Sequence, residues 1–196
     1  MNQITQLFMP LAAVLLSYAL FTIYLKVRQY TNHMGFLAGE VEGRTEIVST
    51  LSTRIYLLHG ERGKFKFRCS FTPTVKNDPP EFAISFYGKF PVGLSIRKRE
   101  TGDSEIVRSG GTEEIQTGDG PFDKLFSIHL RQGQDMHKYL EDPSRRALIY
   151  NFLNQENANL FFEGASARVI FKGLELTDVK PYALREYLDH LTSLAL

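Results

Sequence analysis

A chain of 196 residues with 15 Phe and 9 Tyr carries enough apolar surface for one core of ordinary domain size, without metal or disulfide staples. Its single cysteine excludes any disulfide within the chain. A formal net charge of +1, with both signs mixed along the chain, excludes the basic footprint of a nucleic-acid-binding protein.

The first feature is residues 7–25, LFMPLAAVLLSYALFTIYL, nineteen residues without a charge. A helix rising ~1.5 Å per residue over that length matches the hydrocarbon of a bilayer, which predicts a single transmembrane helix inside an anchor at 1–28. Pro10 falls in the first turn, where no intrahelical N–H bond is lost. A cleavable signal peptide needs a basic leader and a small-x-small site, but Met1 to Gln6 hold no Lys or Arg, and Tyr24, Leu25, Val27 and Tyr30 offer no such site. Lys26 and Arg28 follow the run directly, which predicts a single-pass protein of the cell membrane with its N-terminus outside and its body cytoplasmic.

Residues 29–43 read as a juxtamembrane connector, helical as far as Met34 and loosened by Gly35 and Gly39. Residues 44–196 read as one soluble α+β domain, mainly antiparallel, with two to three helices. Apolar residues alternate at Ile55 and Leu57, from Phe65 to Phe71, at Phe82, Ile84 and Phe86, and at Leu94 and Ile96. Turn residues separate them at 59–63, 77–80 and 88–91, so four strands of an antiparallel meander are expected. Cys69 shares a strand face with Phe65, Phe67 and Phe71 and reads as a core thiol. The cluster Arg97-Lys98-Arg99 reads as a solvated strand end rather than a phosphate site.

Further on, 125–130 reads as a strand, 135–140 as a helical turn, 143–154 as a helix opened by Pro143, and 159–163 with 167–171 as a pair of strands. The last helix begins near Pro181 and places Leu184, Tyr187, Leu188, Leu191 and Ala195 on one face. Packing on the sheet is the expected role of that stripe, with docking on a partner through Tyr187 and Leu191 as the alternative.

Residues 110–126 hold the densest unusual chemistry. Asp119 and Asp123 flank a Gly-Pro turn, so two carboxylates there can converge on calcium or magnesium, with Glu113 or Glu114 nearby and His129 as a further candidate. The competing use is structural: Asp before Gly-Pro bonds its own backbone N–H groups while Phe122 and Phe126 plug the loop into the core. A third use is a protein-binding surface around Asp119 and Asp123. Thr117-Gly118-Asp119, Phe122-Asp123 and Phe126, with a helix opening at Pro143-Ser144-Arg145-Arg146, resemble a pattern in uncharacterised bacterial proteins that carry a membrane segment before a β-rich domain. The resemblance covers about residues 110 to 155 and implies no known activity.

Other chemistries fail on spacing. Gly60-Glu61-Arg62-Gly63-Lys64 lacks the Ser or Thr and the upstream Gly of a phosphate loop, and no nucleophile elbow or dinucleotide fingerprint occurs. The histidines, His33, His59, His129, His137 and His190, show no zinc spacing. The sequence thus predicts a membrane-anchored, non-enzymatic protein-binding or scaffolding subunit without a cofactor. The alternative is a membrane-tethered enzyme or metal-binding domain using Asp119, Asp123, Glu114 and His129.

Overall fold

The computed structural model describes residues 3–50, 53–75, 78–99, 112–131, 137–154 and 158–196; within these, the side chains of 3–11 and of His137 are outside the description. Predicted features at Asn77, at Gly110 and Gly111, and at Asp135 and Met136 lie outside the described residues.

The first helix, α1 (Gln3–Glu40), does not stop at the expected connector. It continues through Gly35 and Gly39 because Tyr30, Met34, Leu37 and Ala38 recur at helical spacing and are buried, so tertiary packing offsets the glycines' low propensity. Its end is a Schellman cap: Glu42 adopts φ 54°, and the Gly43 N–H donates to the Ala38 carbonyl at 2.8 Å. Two bonds fix this half of the helix to the far end of the chain. Tyr30 donates to Glu175 at 3.0 Å, and His33 Nε2 lies 2.9 Å from the Val179 carbonyl oxygen.

Four strands follow as a meander, β1 (Arg44–Ser49), β2 (Arg54–Arg62), β3 (Phe65–Thr72) and β4 (Glu81–Tyr87). The predicted fourth strand, β5 (Val92–Lys98), is not their neighbour. The segment before it is held on another turn instead: the Gly88 and Phe90 N–H groups donate to the carbonyls of Ala165 and Gly164, at 3.1 and 2.7 Å. That carries the chain past the edge of β4. The remaining elements are β6 (Thr112–Ile115), α2 (Gly120–Leu125), β7 (Phe126–Arg131), α3 (His137–Glu141), α4 (Pro143–Asn154), β8 (Ala158–Glu163), β9 (Ser166–Lys172), a 3-10 turn at Leu176–Asp178 and α5 (Pro181–Leu194). Among the described residues the sheet has nine strands in the order β1-β2-β3-β4-β9-β8-β5-β7-β6, every pair antiparallel.

Alternation sorts the strands into two faces. Tyr56, Leu58, Phe67, Cys69, Phe71, Phe82, Ile84, Phe86, Leu94, Ile96, Ile128, Leu160, Phe162, Val169 and Phe171 form the covered face and join the residues of α1, α4 and α5 in one core. Phe152 of α4 meets Tyr187 edge-on at 5.2 Å, and Tyr187 stacks on Phe171 at 5.1 Å. Tyr187 and Leu191, offered by the sequence as a partner surface, are only 4% and 0% exposed. Their stripe is consumed by this chain's own sheet. At its margin Arg62 grips Asp189 through two bonds of 2.7 and 2.8 Å, and Arg185 pairs with Glu40 of α1.

The transmembrane helix predicted within 1–28 is corrected: among the described residues no helix is long and apolar enough to cross a membrane. The side chains described in the apolar run are those of 12–25, about 20 Å of helix against roughly 30 Å of hydrocarbon, before Lys26 and Arg28 interrupt. Those of 7–11 lie outside the described residues. The fold is α+β, a nine-stranded antiparallel sheet with helices on one face.

Candidate functional site

The acidic segment is a folded clip. Asp119 is the N-cap of α2, and its Oδ1 accepts from the Phe122 N–H at 3.3 Å. Asp123 Oδ1 accepts from the Thr117 N–H at 2.9 Å and the Thr117 hydroxyl at 2.8 Å, while Oδ2 accepts from the Gly118 N–H at 3.0 Å. Gly118 stands at φ 81°, the left-handed conformation that aims these N–H groups back at the carboxylate. Asp119 Oδ2 receives Arg146 of α4 at 3.1 Å, and the same guanidinium donates to the carbonyls of Leu140 and Glu141. Phe122 packs on Phe126 at 4.8 Å beneath. The residues that carry the resemblance therefore bind one another and tie the loop before β7 to the start of α4.

A cation would have to share these carboxylates with the donors they already hold. Glu113 and Glu114 do not complete a shell, since they pair with Leu130 and His129 and so face opposite sides of the sheet. Glu114 engages Arg99 and accepts from Ser127 at 3.4 Å. Among the described residues no group of three His, Cys, Asp or Glu is arranged to hold a metal.

The other side of the sheet bears no helix among the described residues. One row crosses all nine strands there: Arg44, His59, Arg68, Ser85, Arg168, Phe161, Ser95, His129 and Glu114 are successive register partners. Toward the β5 end this face dips into a cleft of about 400 Å³. Phe161 and Ile170 supply its apolar surface, while Ser95, Arg97, His129, Asn159 and Lys172 supply polar groups. Sequence reading missed the cleft because its residues come from six strands. Arg97 and Arg99 do not form a patch with Lys98: alternation sends Lys98 to the opposite face, and Arg99 is taken by Glu114.

Within this region Ser127 Oγ lies 2.7 Å from His129 Nε2, both residues 8% exposed. Burial lowers the His129 pKa, and the positive charges of Arg97 and Arg99 lower it further against the opposing pull of Glu114. A neutral imidazole beside a hydroxyl is half of a nucleophile-base arrangement. The carboxylate that would orient the base contacts the serine and an arginine instead. As built, the group is a hydrogen-bonded seam joining β6 to β7.

The remaining unusual surface is the first half of α1. Val14, Leu15, Leu16, Tyr18, Leu20, Phe21, Ile23, Tyr24 and Leu25 are each 45% exposed or more, and they point in every direction around the helix. No family model, curated protein or solved structure matches the chain.

Proposed function

We propose that this is a non-enzymatic binding protein held at a membrane: the apolar half of α1 sinks into lipid, and the sheet domain serves as a scaffolding or accessory subunit for a protein partner. The observation that carries the reading is the apolar surface around residues 12–25. A surface helix of a water-soluble domain shows one apolar stripe, whereas this one is apolar all round and needs an apolar medium. Nine large side chains at this exposure, at roughly 1–2 kcal/mol each, leave on the order of 10 kcal/mol of burial unrealised in water. Lys26 and Arg28 then mark the level at which the chain returns to water.

Flotation of the full-length protein with neutral phosphatidylcholine vesicles tests the anchoring. The wild type should rise with the vesicles in low and high salt alike, because the attraction is apolar. The double variant L16K/F21K should remain at the bottom with an unchanged unfolding transition, since both side chains lie outside the core. A wild type that stays monodisperse and unfloated without detergent overturns the proposal. For the partner, purification in mild detergent should recover a second protein in stoichiometric amount, and a lone monomer counts against it. The metal or catalytic alternative at Asp119 and Asp123 with Glu114 and His129 draws no comparable support, because those groups are already bonded within the chain.

A further inference from the structure

The cleft on the sheet face that bears no described helix combines an apolar floor with two cations that lack an ion-pair partner among the described residues. Phe161 on β8 and Ile170 on β9 are half-buried and form the floor. Arg97 and Lys172 border it, and neither takes part in an ion pair among the described residues. The acids nearby, including Glu81, the register partner of Lys172, form their ion pairs with other arginines. Glu81, which also lines the cleft, faces Arg168 at 3.6 Å, and Glu114 on β6 is engaged by Arg99. Arg97 and Lys172 therefore give the cleft a local excess of positive charge among the described residues.

We propose that this cleft is a binding site for a small planar anion, an aromatic or similarly flat carboxylate whose ring lies on Phe161 and Ile170 and whose charge meets Arg97 and Lys172. The chemistry of the lining selects this class. A guanidinium offers a planar pair of donors that matches a carboxylate, and an ammonium adds a point charge from across the cleft. The Asn159 amide and the Ser95 hydroxyl supply neutral hydrogen bonds that orient the ligand. A volume of about 400 Å³ admits a single ring with its substituents but no folded partner. The His129 imidazole stays neutral beside the two arginines, and so adds a hydrogen-bonding group rather than a third charge. The inference goes beyond the anchoring proposal and does not depend on it, because every residue used lies on the sheet.

Isophthalate is the probe, with isophthalamide as its neutral isostere, titrated into the full-length protein in detergent and followed by amide chemical shifts. Saturable binding is expected below about 10 mM, the range of a ligand of this size. The shifts should be confined to the six strands that line the cleft, β4 to β9. Isophthalamide should bind about tenfold more weakly or worse, and R97Q and K172Q should each weaken isophthalate about tenfold, as the loss of one charge-assisted bond implies. Both variants exchange side chains outside the core, and the spectrum itself reports whether each is folded. Equal binding of the neutral isostere, shifts centred elsewhere, unchanged affinity in the two folded variants, or no saturable binding would overturn the proposal.

Discussion

Replacing Asp123 with alanine tests whether the acidic segment is a fold element or an ion site. The substitution removes three acceptor contacts, two from the Thr117 N–H and hydroxyl to Oδ1 and one from the Gly118 N–H to Oδ2. It also removes a negative charge from the first turn of α2. Hydrogen bonds to a charged group are worth up to about 3 kcal/mol when buried, but this site is partly exposed, so about 1 kcal/mol each is appropriate. The expected cost is about 3 kcal/mol, a fall in Tm of roughly 6–12 °C for a chain of this size. Urea unfolding of wild type, D123A and D123N measures it, with D123N losing less because its amide oxygen still accepts. A loss for D123A below about 0.5 kcal/mol would refute the reasoning. So would stabilisation of the wild type by millimolar calcium or magnesium that disappears in D123A, because the carboxylate would then serve an ion rather than its own loop.

Two further outcomes follow from the same geometry. Cys69 is fully buried, and burial pushes its thiol far above the ordinary range, so a thiol reagent should leave the native protein unmodified and react fully only after denaturant is added. His129 has a folded-state pKa below its ordinary value of 6.5, owing first to burial and then to Arg97, with Glu114 opposing and Arg99 assisting. The unfolded chain therefore takes up the proton more readily. The stability this histidine contributes is complete above about pH 6.5 and is lost as pH falls toward the lower folded pKa. Unfolding midpoints measured between pH 8 and 5 should fall more steeply for wild type than for H129Q, and parallel curves would remove His129 as the cause.

Elements whose information is local were legible in the sequence. The stripe of α5 is complete within fourteen residues, and Pro143 marks the first turn of α4, so both stand where periodicity and capping chemistry place them. The alternation around Cys69 likewise foretold a buried thiol. By contrast, β1 has six exposed residues and no apolar alternation to read; it exists because β2 offers it an edge. The neighbours of β5 depend on β9 occupying the edge of β4, a long-range competition invisible in any window of the chain. The segment at 120–125, read as turn and strand start, closes into α2 because Asp119 caps it. At the candidate site the residue types of the acidic segment were recognised, and structural and ionic uses both fitted their spacing. The Thr117 and Gly118 N–H groups, which donate to the Asp123 carboxylate, could not be paired with it from spacing alone. The cleft beside β5 offered no signal, because register alone brings Arg97 and Lys172 to the same face.

The continuity of α1 has a mechanical consequence. The helix that bears Phe21 at its free end is the same rod whose Met34 and Leu37 are sealed in the core. It has no swivel between the two, so torque on the free end is delivered to the sheet undiminished. Inserting one residue near Gln29 would turn the free half by about 100° relative to the sheet, while four would nearly restore its bearing. The bearing of the rod about its own axis thus sets which way the helix-free face of the sheet looks.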